Sequence, residues 1–122
     1  MQQSEDMTRE AMMITLTNVV AATIIARFPD FYDLVGETID TNIAISCKDI
    51  LRKTKTTMNI IDEIMNEIEP KIPEELYAVL ESGLNNKDEN AVFRQLVKSA
   101  FRRTIANDTI KLVEMFKHTM EG

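Results

Sequence analysis

The chain has 122 residues, of which 44% are hydrophobic and 28% charged, and its net charge at pH 7 is −6. A domain of this size buries enough apolar surface to fold without disulfides or metal ions, and its acidic balance argues against a molecule that binds nucleic acid over its whole surface. Three glycines and three prolines are too few for the tight turns of a sandwich or barrel, and the single cysteine, Cys47, excludes an intramolecular disulfide.

These figures predict one all-α domain over residues 1–122. The lone cysteine fits a reducing compartment, and we expect a cytoplasmic protein. Eight methionines and 6% aromatic residues indicate an adaptable core with few aromatic anchors.

The first predicted element contains Ala11–Ala26, sixteen residues without a charge. Its length favours a helix over a strand, and we place that helix near residues 5–27, since the residue before Pro29 avoids the helical region. A helix that is apolar nearly all round needs cover on most sides. We therefore predict an irregular antiparallel bundle of about five helices around this central helix.

A membrane span is the alternative interpretation of this segment. The uncharged run is shorter than the roughly 20 apolar residues that a spanning helix needs. Glu5 and Asp6 stand where a signal peptide carries Lys or Arg. We therefore expect no membrane partner.

Residues 29–36 resemble one or two helical turns closed by Gly36. Three aromatic residues, Phe28, Phe31 and Tyr32, lie at this point. They either plug the end of the core or form an exposed anchor for a protein partner, since Tyr and Phe are enriched in interface cores.

Residues 40–69 keep a seven-residue apolar repeat, as a bundle helix does. The repeat weakens at the polar segment 54–57, so this region is either one long helix or two helices with Thr56 or Thr57 as a new N-cap. We favour the break. The seven-residue repeat forms two rows. One row is Ile43, Ile50, Thr57 and Ile64, and the other is Cys47, Thr54, Ile61 and Ile68, with Leu51, Met58 and Met65 beside them.

Pro70 and Pro73 mark the next boundary, and Pro73 starts a helix that Gly83 ends. Residues 85–88 form a predicted turn. A last amphipathic helix starts near Glu89 and either ends at residues 107–108 or continues toward the end of the chain.

Catalytic and metal-binding constellations are not evident in the sequence. His118 suits a last helical turn, and Cys47 lies on the predicted apolar seam, where a thiol is ordinarily a small hydrophobe. Glu63 and Glu67 share a helix face, but a Mg²⁺ site needs further oxygen ligands and a phosphate, and the chain has no Gly-rich phosphate loop. We expect no enzyme activity, no cofactor and no metal.

The charges are segregated along the chain. Residues 1–40 and 58–90 carry net charges of −5 and −7, whereas residues 41–57 and 91–104 carry +3 and +4. Spacing of about one turn predicts that the bases of each positive block share a helix face. The two basic stripes are Lys48, Arg52 and Lys55, and Arg94, Lys98 and Arg102 with Arg103 beside them.

Each basic stripe needs an opposing charge, and three sources are open. The first is a set of carboxylates on a neighbouring helix, and the second is another protein or a second copy of this chain. The third is a phosphate backbone, where contacts release counterions and make binding salt-dependent. The acidic total and the lack of a helix-turn-helix turn disfavour nucleic acid. The internal carboxylates are Asp62, Glu63, Glu67, Glu74 and Glu75.

We therefore expect a small non-enzymatic protein-interaction module, such as an adaptor, an inhibitor or an assembly chaperone. It would bind a protein partner through a Met-rich apolar surface and charged helix faces. The sequence does not decide between a monomer and a homodimer. The alternative is a nucleic-acid-binding regulator that uses the basic stripes at 48–55 and 94–103. Candidate contact residues are Phe31, Tyr32, Lys48, Arg52, Lys55, Arg94, Lys98, Arg102 and Arg103.

Overall fold

The computed structural model describes the backbone of residues 2–83 and 90–121, and side chains within 7–82 and 92–120. Over those ranges the chain forms an all-α bundle of five α-helices with one short 3-10 turn, and no described residue lies in a strand, as the composition predicts. The helices are α1 (Gln2–Arg27), α2 (Pro29–Leu51), α3 (Thr57–Ile68), α4 (Glu74–Gly83) and α5 (Asn90–Glu121), with the 3-10 turn at Glu69–Lys71.

The helices form two compact units, each made of two separate chain segments. Unit 1 comprises Met1–Pro29 and Pro73–Thr104, which contain α1, α4 and the first part of α5. Unit 2 comprises Asp30–Ile72 and Ile105–Gly122, which contain α2, α3, the 3-10 turn and the rest of α5. The assignment of the whole chain to a single domain stays a prediction.

Helix α1 confirms the helical interpretation of the uncharged segment. Its β-branched threonines do not break it, because their hydroxyls donate to carbonyl oxygens one turn earlier. Thr17 bonds to the Met13 oxygen at 2.6 Å and Thr23 to the Val19 oxygen at 2.7 Å. The helix ends at Arg27, and α2 begins directly at Pro29, so the predicted boundary is also confirmed.

The expectation that α1 is covered on most sides is wrong. Of the sixteen residues Ala11–Ala26, only Thr17, Val20 and Ile24 are buried. Their spacing of three and four residues defines one narrow seam along the helix. Within unit 1, α1 contacts α4 and is joined to the first part of α5 by the pair of Glu10 and Arg103. Its opposite side is apolar and exposed.

The short turn expected at residues 29–36 is also wrong, because α2 runs through Gly36 without interruption. Its buried residues recur at helical spacing on both sides of the glycine, from Phe31 through Ile39 to Ile50. A glycine within a helix costs only about 1 kcal/mol. Burial of the continuous apolar face outweighs that cost, and Gly36 therefore does not end the helix.

The break between α2 and α3 is confirmed, with Thr56 as the new N-cap. The Asn59 amide donates to Thr56 Oγ1 at 3.2 Å, and the Thr56 amide donates to Asn59 Oδ1 at 3.0 Å. This reciprocal pair is a capping box, and it satisfies two amides that have no partner within the helix. Leu51 and Met58 flank the break and are exposed, so their predicted place beside the apolar stripe is wrong.

The last two helices lie where the prolines and the apolar pattern predict them. Helix α4 follows Pro73 and is described over Glu74–Gly83. Residues 84–89, which include the predicted turn at residues 85–88, lie outside the described residues. Helix α5 continues through residues 107–108, because buried Ile105, Thr109 and Val113 keep one helical face.

Candidate interaction surface

An apolar groove runs along α1 in unit 1, with the start of α5 as its second wall. The volume of this open groove is about 890 Å³. We call it the α1–α5 groove. Its lining residues are Met7, Thr8, Arg9, Ala11, Met12, Met13, Thr15, Leu16 and Val19 of α1, and Phe93 and Leu96 of α5.

The chemistry of this groove is that of a contact surface. Met7 and Met12 are 70% and 65% exposed, and Leu96 is also exposed. The hydroxyl of Thr15 donates to the Ala11 oxygen at 3.0 Å, so it offers little polarity to a ligand. Contiguous exposed apolar surface marks interaction sites, and methionine side chains adapt to partners of different shape.

Among the described residues that line the α1–α5 groove, Arg9 is the one that carries a charge. Its neighbour Glu10 is engaged elsewhere, since Arg103 Nη2 lies 2.7 Å from Glu10 Oε1. Arg9 itself forms no ion pair with any residue in the described part of the chain. Within the described part of the chain, this cation at the apolar groove therefore has no fixed counter-charge.

The sequence did not identify these groove residues individually. A Met-rich apolar surface was predicted, but none of the α1 residues was among the proposed contacts. The available signal was the uncharged run itself, whose outer face has too few neighbouring helices in one unit to cover it. The uncharged run on its own predicts burial on most sides, which the exposed residues of α1 contradict.

The first basic stripe does not form on one helix face. Helix α2 ends at Leu51, so Arg52 lies beyond it, while Lys48 occupies its last turn. Lys55 is half-buried, and its Nζ donates to Ser46 Oγ at 2.8 Å and pairs with Glu63 Oε2 at 2.7 Å. The helix break separates the three bases and turns one of them inward.

The second stripe keeps its predicted spacing, because α5 is continuous from Asn90 to Glu121. Within it, Arg94 donates from both terminal nitrogens to the two carboxylate oxygens of Glu74. Its guanidinium carbon lies 4.6 Å from the centre of the Tyr77 ring, a cation–π distance. Arg103 pairs with Glu10, and Lys98 and Arg102 also have interactions of their own.

The Arg94–Glu74 pair perturbs both groups. The hydrogen bonds from Arg94 lower the pKa of the Glu74 carboxyl, and the Arg94 charge acts in the same direction. The Glu74 carboxylate in turn raises the pKa of Arg94, which is charged in any case. Lys55, Arg94 and Arg103 thus each pair with a carboxylate of the same chain, which is the first of the three sources of opposing charge named above.

The two aromatic contact candidates, Phe31 and Tyr32, differ in exposure. Phe31 is buried in unit 2, whereas Tyr32 is exposed on the same helix. Phe31 therefore belongs to the core, and Tyr32 alone is accessible to a partner.

Glu63 and Glu67, the carboxylates that share a face of α3, contact other side chains. Glu63 pairs with Lys55, and Glu67 accepts a hydrogen bond from Asn42 at 3.1 Å. No cluster of three or more metal-ligating side chains occurs among the described residues. Cys47 is a half-buried free thiol, and His118 is exposed in the last turn of α5.

Helix α1 has the length and composition of a membrane-spanning helix over Met7–Arg27, with a mean hydropathy of 1.3. Core helices of soluble proteins and signal sequences have the same properties. Comparison with known proteins adds no assignment: no protein family, curated protein or solved structure matches this chain.

Proposed function

We propose that this chain is a small non-enzymatic protein-interaction module, an adaptor, inhibitor or assembly chaperone, that binds a protein partner through the α1–α5 groove. The observation that carries the proposal is the exposure of large apolar side chains along α1, a helix without charge from Ala11 to Ala26. Covering such a surface is favourable by roughly 25 cal/mol per Å² of apolar area. The lone free cysteine supports a reducing, cytoplasmic setting.

Charged helix faces play a secondary part in this proposal. Arg94 and Arg103 each have a carboxylate partner within the chain, so a new partner would have to compete for them. Exposed ion pairs contribute little affinity. We expect the charges to bias orientation and association rate, while the apolar groove supplies affinity.

A matched pair of variants tests the proposal. Met12 lines the groove, whereas Met115 does not, and the two side chains are 65% and 64% exposed. Met12→Lys and Met115→Lys therefore introduce the same charge at similar exposure. In affinity capture with quantitative mass spectrometry, we expect a partner retained by the wild type and by Met115→Lys, and reduced at least tenfold on Met12→Lys.

Equal capture by all three proteins would contradict the use of the groove. Circular dichroism and thermal melting of each variant establish that the fold is intact before the comparison.

The nucleic-acid alternative has its own test. In a gel-shift titration at low and moderate salt, that alternative predicts salt-sensitive binding that is lost when Arg94→Glu, Lys98→Glu and Arg102→Glu are combined. The proposed function predicts no retention of nucleic acid by the wild type.

A further inference from the structure

We infer that the α1–α5 groove receives an amphipathic helix of a partner protein, and that this helix presents a carboxylate to Arg9. The inference rests on the proposed function and specifies the partner at the same site. It follows from the walls of the groove, from its length and from the charge of Arg9 among its described lining residues.

The walls favour a helical occupant over an extended one. Both walls are α-helices, whose backbone N–H and C=O groups are paired within the helix. An extended segment in the groove would find no sheet edge to pair with, and its own backbone groups would lose water. A helix satisfies its backbone internally and offers only side chains, which is what an apolar groove accepts.

The length of the groove sets the size of that helix. Its α1 wall extends from Met7 to Val19, which is about 18 Å at a rise of about 1.5 Å per residue. About three turns of a partner helix match this length. Such a helix inserts apolar anchors at i, i+4 and i+7, and the methionines adjust to their shapes.

The charge of the groove determines the polar contact. Arg9 is exposed at the groove and has no ion pair within the described residues, and its neighbour Glu10 is held by Arg103 at 2.7 Å. A carboxylate forms charge-assisted hydrogen bonds with a guanidinium, and apolar surroundings strengthen them. Among its described lining residues, a second copy docked through the same groove would contribute another Arg9 and no acid, so these residues lack this complementarity.

The experiment selects binders from a display library of random 16-residue peptides. The full-length chain is the bait, and clones that also bind the Met12→Lys variant are removed. Clones that bind the Met115→Lys control are kept, because Met115 lies outside the groove. We expect the surviving sequences to repeat apolar residues at i, i+4 and i+7 and to be enriched in Asp or Glu at one end.

A charge exchange then tests the polar contact. We expect Arg9→Glu to weaken binding of a selected acidic peptide by about three- to tenfold. Replacement of that peptide's acid by Lys should restore binding to the variant. Circular dichroism should show a gain of helix when the peptide binds.

The outcomes separate the two proposals. If no clone distinguishes Met12→Lys from Met115→Lys, the groove does not bind protein and both proposals are wrong. Survivors without helical spacing, or binding that Arg9→Glu leaves unchanged, overturn the inference alone. It is equally overturned if light scattering shows a dimer that Met12→Lys dissociates, or if the chain binds neutral lipid vesicles through α1.

Discussion

At the scale of single residues, the most informative position is Lys53, which closes the C-terminus of α2. Its φ of 61° lies in the left-handed region, where glycine is the usual residue. The Lys53 amide donates to the Ile50 oxygen at 3.1 Å, and the Thr54 amide donates to the Asp49 oxygen at 2.9 Å. These two bonds form the Schellman arrangement that ends a helix.

We predict that Lys53→Gly stabilises the fold by about 0.5–1 kcal/mol, because an L-residue in this conformation costs about 1–2 kcal/mol. Lys48→Gly, within the last turn of the same helix, is the matched control and should destabilise by about 1 kcal/mol. Urea unfolding measures both changes. A loss of stability in Lys53→Gly would show that this helix ending is not strained.

Thr109 supplies a second prediction at this scale. Its side chain is fully buried in α5, and its hydroxyl oxygen has no hydrogen-bond partner among the described residues. An unpaired buried hydroxyl costs about 1–3 kcal/mol, so Thr109→Val should raise the unfolding free energy by about 1 kcal/mol.

Thr104→Val is the control for that substitution, because the Thr104 hydroxyl donates to the Ala100 oxygen at 3.2 Å. We expect no gain there. Calorimetric melting that shows Thr109→Val to be less stable than the wild type would mean that its hydroxyl is satisfied after all.

At the scale of elements, the sequence predicted helices well where local chemistry decides their ends. Pro29 and the capping pair of Thr56 and Asn59 act within a few residues, and both boundaries appear as expected. Gly36 does not end its helix as expected, because the helix-breaking effect of a single glycine is weak. Whether a glycine ends a helix depends on what the flanking face buries, and tertiary packing determines that burial.

The contact between α4 and α5 leads to a prediction of pH dependence. Arg94 lowers the pKa of Glu74 in the folded protein, whereas the unfolded carboxyl titrates near its ordinary value of about 4.3. The stabilisation is therefore complete above that value and is lost as the pH falls through the lowered folded pKa. Glu74→Gln should destabilise the fold slightly at pH 7. The difference in unfolding free energy between the wild type and this variant should disappear at acid pH.

Glu75→Gln is the matched control, since Glu75 is exposed in the same helical turn and forms no ion pair with the described residues. Urea titrations of the three proteins at neutral and acid pH make the comparison. A Glu74→Gln gap that persists at acid pH would contradict the assignment to the ion pair.

At the scale of the whole molecule, the sequence predicted the all-α class but not which segments share a unit. Each unit joins segments from distant parts of the chain, and the pair of Glu10 and Arg103 spans 93 positions. The segregated charges of the sequence predict that each basic stripe has carboxylate partners. Only the fold specifies which carboxylate pairs with each base. The groove could not be predicted for the same reason, because an apolar segment does not show how many helices will pack against it.

We propose the exposed face of α1 as the surface on which this protein binds its partner. Methyl-labelled methionine NMR of the full chain, titrated with a partner or peptide that the wild type retains, tests it most directly. We expect the methyl signals of Met7, Met12 and Met13 to shift and those of exposed Met58 and Met115 to stay in place. Shifts confined to Met58 and Met115, or spread evenly over all the methionines, would contradict it.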